Sequence, residues 1–300
     1  MWSRPTGGGC LRTSSRPVSG GVRRTSERLV PIYDGLRQAY LRSREPVIRL
    51  NMERARALPR DMGQRFILVD VASARLWTYE NGDPTDEMKV VVGSARQQTP
   101  AMAALVRFSV LQPYWNVPED LAQSRFAPLV LRQGPDALVR QGIETLSDWT
   151  AGAHVVDAGG VDWEAVADGR RSQRLRQRPG SANMMGAVKF MFPNNLGIYL
   201  HDTPDRSAFS REVRTLSAGC VRLEDAGRLW EWLYGSSWWT VGTGEPEQAA
   251  PLADPVPVYI LYLTARPDGS GSVVFGADPY GLDSALKTEL RLARGSTGVA

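Results

Sequence analysis

The chain is poor in thiol and in imidazole. Its 300 residues include two cysteines, Cys10 and Cys220, and two histidines, His154 and His201. Their spacing fits no zinc-finger or zincin pattern, so no metal site is expected. Cys10 sits in a Gly/Ser/Arg-rich stretch unsuited to a fixed partner, which argues against a disulfide framework. No run of 18 apolar residues occurs, so there is no candidate spanning helix. Charge excess is slight: 36 Lys and Arg against 32 Asp and Glu leave +4. Without a recognition motif that is too little to indicate nucleic acid. No internal repeat is visible.

What remains is an ordinary core-forming composition, 42% apolar and 23% charged, in a chain long enough for two modest domains or one large domain with an insertion. Twenty-nine glycines and 20 prolines imply many turns and a β-rich body. Residues 1–27 hold no apolar run and read as a disordered leader. Helical spacing follows over 28–62, with Leu36, Ala39 and Tyr40 in one group and Val47, Ile48, Leu50, Met52 and Ala55 in another after Pro46.

From Arg65 the apolar period changes to two. Strands are predicted at Phe66–Val71 and Ala74–Tyr79, with Asn81-Gly82 as a hairpin turn, then at Met88–Val92 and Leu105–Leu111. Prolines and glycines punctuate short helical pieces over about 116–180, which reads as an insertion between strands, ending in an Arg170–Arg178 cluster expected to be a solvated edge. Strand signals return at Ala187–Phe192 and Ile198–His201. A loop then leads to Cys220, followed by a helix over Asp225–Tyr234 with Asp225 as N-cap and Gly235 as stop. Val256–Thr264 and Ser272–Phe275 read as strands, Ala285–Leu292 as a final helix, and 291–300 as a tail. His154 reads as structural, and Trp230, Trp232, Trp238 and Trp239 as packing residues.

The chemistry rests on one thiol and one imidazole. In Tyr199-Leu200-His201-Asp202-Thr203-Pro204 the histidine closes a strand. In Ser217-Ala218-Gly219-Cys220-Val221-Arg222 the cysteine follows a small-residue turn just before a helix. A thiolate there would be favoured by the helix N-terminus and by a neighbouring imidazolium. Amide N–H groups around Gly219 and Cys220 could stabilise an oxyanion.

This pair, with the histidine 19 positions before the cysteine, resembles the YkuD-type L,D-transpeptidases, most closely their YcbB-like subgroup. Further similarity lies in Asn51-Met52-Glu53-Arg54, Val91-Val92-Gly93, Thr99-Pro100, Pro113 through Pro118, Gly186 through Phe190, Phe192-Pro193-Asn194 and Pro257 through Tyr262. The resemblance implies a mainly β (α+β) fold, with a β-sandwich catalytic domain over 63–290, a helical and loop capping insertion, and a remnant of a peptidoglycan-binding module in the N-terminal helical segment.

The resemblance also implies Cys220 as nucleophile and His201 as base. Tyr199 and the N–H groups of Gly219 and Cys220 would be oxyanion-side groups, and Ser217 and Arg222 would shape the site or meet substrate. It implies a monomer without metal or cofactor, acting in the periplasm on peptidoglycan stem peptides and open to carbapenem-type β-lactams. Ala218 departs from the histidine that many members have there. An L,D-carboxypeptidase or hydrolase releasing a peptidoglycan-attached group, and a non-catalytic cell-wall-binding protein, are the alternative readings.

Overall fold

The computed structural model describes residues 31–238, 244–268 and 270–295. The expected leader, Cys10, Trp239 and residues 296–300 lie outside the described residues.

Helices α1 (Pro31–Ser43) and α2 (Pro46–Ala55) form a hairpin. Strands β1 (Arg65–Asp70), β2 (Arg75–Glu80), β3 (Asp83–Gly93) and β4 (Met102–Leu111) follow. Asn81 and Gly82 both take positive φ, +55° and +95°, as the tight hairpin between β2 and β3 requires. The insertion comes next, with β5 (Trp115–Asn116), α3 (Glu119–Leu121), α4 (Ala127–Gln133), α5 (Asp136–Arg140), β6 (Ile143–Leu146), β7 (Val155–Val156), α6 (Trp163–Ala167) and β8 (Leu175–Gln177). The main sheet resumes in β9 (Val188–Met191), β10 (Leu200–His201), β11 (Thr215–Ser217) and β12 (Val221–Leu223). Helix α7 (Ala226–Tyr234), the long β13 (Gln248–Leu261), β14 (Ala265–Pro267), β15 (Val273–Phe275) and α8 (Leu282–Gly295) complete the order.

The main sheet runs β11-β3-β12-β10-β9-β4-β13-β1-β2, and a further β2–β3 pairing closes it on itself. The fold is therefore mainly β with helices, as expected, and its main core lies inside the closed sheet. Strand alternation explains how. Ile67 and Val69 of β1 and Val258 and Ile260 of β13 point inward, joining Phe190, Leu200, Val221 and Trp230. Phe66, Leu68, Tyr259 and Leu261 of the same two strands point outward and are covered by Leu58, Met62, Ile32 and Tyr33. Being buried on both faces, β1 and the end of β13 from Val256 to Leu261 read as apolar runs in the sequence.

Helix α7 closes one end of this core with Leu229, Trp230 and Leu233. Its cap is as expected: the Asp225 carboxylate accepts the Arg228 N–H at 3.0 Å, and Gly235 stops the helix at φ +69°.

The insertion is more than helices and loops. It holds a four-stranded sheet, β5-β8-β6-β7, and a second core of Trp115, Phe126, Val130, Leu138, Trp163, Leu175 and Met185. Strands of two to four residues are too short to show a period, which is why the sequence hides them. In the Arg170–Arg178 cluster, Arg170, Arg171 and Arg178 are exposed, as a solvated edge would have them, whereas Arg174 and Arg176 are held. Arg176 pairs with Glu144 at 2.8 Å and lies over the Tyr114 ring, and Arg174 donates to the Thr150 carbonyl at 3.0 Å. Buried Asn183 ties the insertion to the main sheet's approach: its amide donates to the carbonyls of Pro113, Gln177 and Arg178, and its Oδ1 accepts from Met185 N at 2.7 Å. At the C-terminus α8 runs to Gly295, so the expected tail at 291–300 is helical over its first half.

Candidate active site

Strands β10 and β12 run parallel, with Leu200 opposite Val221 and His201 opposite Arg222. Leu200 and Val221 face the main core. Alternation therefore sends Tyr199, His201, Cys220 and Arg222 to the other face, with Cys220 and His201 as diagonal neighbours on adjacent strands, about 7–8 Å apart along the backbone. The Val221 N–H donates to the Tyr199 carbonyl at 3.1 Å, which extends the pairing back to Cys220. Tyr199 packs against both cores, so this face opens where the sheet meets the insertion. Two cavities, of about 940 and 860 Å³, lie elsewhere, beside the α1–α2 hairpin and the β14–β15 pair.

His201 is 2% exposed. Its Nδ1 lies 2.5 Å from the Asp202 carbonyl oxygen. A carbonyl can only accept, so Nδ1 carries the proton in the neutral ring and Nε2 is the basic nitrogen. Burial and the Arg222 charge push the imidazole down to about 3, against the smaller favourable effect of the Asp202 and Met185 carbonyls. His201 is thus neutral at physiological pH, and the imidazolium expected beside the thiol is replaced by Arg222.

The Asp202 carboxylate looks away from the ring. It accepts from Ala187 N at 2.8 Å and pairs with Arg206 at 2.7 Å, which fixes the segment whose carbonyl holds His201. Gly186 makes room for it: at φ +64° a Cβ there would lie 2.2 Å from Asp202 Oδ2.

The Cys220 Sγ donates to the Gly197 carbonyl at 3.6 Å. Asn194 positions that carbonyl by clasping its own turn, donating to Phe192 O and Ile198 O and accepting from Leu196 N. Burial raises the thiol pKa, while the Tyr199 N–H and hydroxyl and the Arg222 charge favour the thiolate. Burial and the adjoining thiol raise the Tyr199 phenol in turn. The sequence reading of a helix-activated thiolate is corrected here. Strand β12 separates Cys220 from α7, which begins at Ala226, and a helix dipole fades within its first turn.

Arg222 is half-buried, loses some basicity to burial, and is attracted electrostatically to Asp205 and to Cys220. Ser217 serves the turn itself: its hydroxyl donates to the Cys220 carbonyl at 2.6 Å and accepts the Gly219 N–H at 3.1 Å. Of the two expected oxyanion donors, Gly219 is therefore engaged inside the turn, whereas the Cys220 N–H meets no acceptor among the described residues. Gly219 itself stands at φ +113°, a conformation a side chain rarely adopts. His154 is exposed at the β6–β7 connection.

Sequence reasoning assigned no role to Thr99, Asn183, Asn194 or Tyr280, although Thr99 and Asn194 stand in motifs that carry the resemblance. The described residues contain no cluster of three or more His, Cys, Asp or Glu suited to a metal.

The sequence model of the YkuD L,D-transpeptidase catalytic domain matches residues 64–260. A curated protein of Haemophilus influenzae, named provisionally as an L,D-transpeptidase, is 33% identical over 243 residues, which are 79% of this chain and 48% of that protein. The chain thus spans about half the length of the curated relative it matches. Among solved structures, an L,D-transpeptidase from Mycobacterium smegmatis aligns with a TM-score of 0.33 at 10% identity, covering 66% of this chain and 58% of that one. L,D-transpeptidase 3 from Mycobacterium tuberculosis, bearing a faropenem-derived adduct, aligns with a TM-score of 0.33 at 11% identity, covering 66% and 60%. The match across two thirds of the sequence and the one-third-identical relative establish that the chain belongs to the YkuD family of L,D-transpeptidases.

Proposed function

We propose that the chain transfers acyl groups between peptidoglycan stem peptides through a thioester on Cys220, forming 3→3 cross-links. The observation that carries this reading is the shared strand face of Cys220 and His201, with Tyr199 and Arg222 flanking them.

As sulfur adds to the carbonyl of an L,D peptide bond, the thiol proton passes to Nε2 of His201. A neutral imidazole next to a protonated thiol suits this concerted removal better than a preformed ion pair. The C–N bond then breaks, the proton moves to the departing D-residue's amine, and the acyl group stays on sulfur. An amine from a second stem attacks the thioester, and its proton returns through His201 to the thiolate. Sulfur is thereby restored as thiol and an amide replaces the amide consumed. The Cys220 N–H and the Tyr199 hydroxyl supply donors to the transient oxyanion. No organic cofactor enters this balance.

Arg222 meets the carboxylate of the leaving D-residue. Pairing it with an anion would relieve the positive charge that depresses His201, so that substrate binding strengthens the base. A β-lactam offers a strained carbonyl and a nearby carboxylate in one molecule, and carbapenem-type compounds should acylate the same sulfur. The place of action is the periplasm, where the substrate lies, and the chain acts as a monomer.

The test is incubation with purified disaccharide-tetrapeptides followed by mass spectrometry. Cross-linked dimers support transfer, tripeptides without dimers make water the acceptor, and unchanged substrate together with absent carbapenem adducts removes the catalytic reading. Cys220→Ala should abolish both product and adduct.

A further inference from the structure

Thr99 and Tyr280 form a clamp behind the nucleophile. Thr99 is 4% exposed. Its hydroxyl donates to the Gly219 carbonyl at 2.6 Å and accepts the Gly93 N–H at 2.8 Å, so both capacities of the oxygen are used. Tyr280 fixes the same residue from the other side: its hydroxyl donates to Gly93 O at 2.6 Å and accepts the Thr99 N–H at 3.2 Å. Gly93 permits this closeness, since a Cβ there would lie 2.2 Å from the Gln97 carbonyl.

The Tyr280 ring stacks on Tyr262 at 5.3 Å, and the Tyr262 hydroxyl bonds Asp278 and the Tyr280 N–H. Arg54 of α2 lies over the Tyr262 ring and pairs with Asp283 of α8 at 2.6 Å. A continuous chain of contacts thus runs from the α2 and α8 helices to the catalytic turn. Arg54, Tyr262, Tyr280 and Asp283 all lie outside the matched catalytic-domain span of 64–260.

The consequence follows from peptide planarity. In a trans peptide the carbonyl and the next residue's N–H point in opposite directions. Holding Gly219 O toward Thr99 therefore aims the Cys220 N–H the other way, and that N–H meets no protein acceptor among the described residues. Gly219 at φ +113° has the freedom to flip this plane, so something must hold it.

We propose that Thr99, locked by Tyr280, is a positioning residue that aims the Cys220 N–H at the oxyanion formed during acylation. The inference rests on the acyl-transfer reading. As sulfur adds, the carbonyl π pair moves onto oxygen and the aimed N–H donates to it. The pair returns when the leaving amine departs, and no co-reactant is needed.

Two reagents separate this role from simple support of the fold. Imipenem acylates through an oxyanion, whereas iodoacetamide alkylates the same sulfur by displacement at a methylene carbon and forms none. Rates of both are measured by intact mass for the parent, Thr99→Val, Thr99→Ser and Tyr280→Phe. Thr99→Val should slow imipenem acylation by about 10- to 100-fold and leave alkylation within about twofold. Thr99→Ser, which keeps the hydroxyl, should recover most of the rate. Tyr280→Phe should give the same split at smaller size, and carries the test should Thr99→Val not fold.

Acylation of Thr99→Val at the parent rate would overturn the proposal, as would equal slowing of both reagents or failure of Thr99→Ser to outperform Thr99→Val. A parent that imipenem does not acylate removes the acyl-transfer reading itself. A parent that is acylated beside an unimpaired Thr99→Val removes this assignment alone.

Discussion

Acylation of Cys220 should hold nearly constant from pH 7.5 down to pH 5. The proposed base, His201, is pushed down to about 3 by burial and by the Arg222 charge. At pH 5 a group titrating there remains about 99% neutral, whereas an ordinary imidazole at about 6.5 would be only about 3% neutral. The thiol is raised by burial and stays protonated throughout. Both partners of the proton transfer therefore keep their reactive forms, and the second-order rate with a carbapenem, followed by intact mass, should change less than about twofold. Iodoacetamide, which needs the free thiolate, should instead slow by about tenfold per pH unit over the same range.

The same displacement shapes stability. Unfolded histidine takes up a proton below about pH 6.5 while folded His201 does so only near 3, so the unfolded state gains protons first and stability falls as pH drops through that window. The loss is on the order of 5 kcal/mol across the whole window and about 2 kcal/mol by pH 5. Urea unfolding at pH 7.5 and pH 5 measures it directly, and His201→Gln should flatten the dependence. An acylation rate that collapses about 30-fold around pH 6.5, with no such stability slope, would refute the buried neutral base and the mechanism built on it.

Other variants test the parts separately. Arg222→Met removes the smaller of the two causes that depress His201 and leaves burial in place, so the imidazole pKa should rise part of the way toward its ordinary value, visible by NMR titration of His201. Gly186→Ala drives a Cβ into the Asp202 carboxylate from a backbone that disfavours side chains; a loss of at least about 2 kcal/mol in urea unfolding is expected, together with slower acylation as the Asp202 carbonyl shifts. Asn183→Ala strands the buried groups that its amide serves, and should cost about 2–3 kcal/mol in thermal or urea unfolding.

Elements set by their own residues were legible in the amino-acid sequence. The alternation of Phe66 through Tyr79, the Asn81-Gly82 turn and the Asp225 to Gly235 frame of α7 are local signals, and each element forms where its signal lies. Strands set by their partners were not legible. Residues Asp83–Glu87 carry no apolar pattern, yet extend β3 because β2 lies alongside them. Strand β12 is three residues between Cys220 and α7, and a span that short hides the separation of the thiol from the helix. The Cys220 and His201 pair was legible as a motif, but its protonation was not, because burial and the charge of Arg222 are properties of packing. Thr99 and Tyr280 stand 181 positions apart, and no local spacing joins them.

The closure of the main sheet through β2 and β3 leaves few strand borders open. Among the described residues the outermost strands are β11, with three residues, β5 and β7 with two each, and the three-residue β14 and β15. Stubs of that length give a foreign chain almost no backbone to zip onto. Those end strands should therefore be poor templates for edge-to-edge association of folded copies.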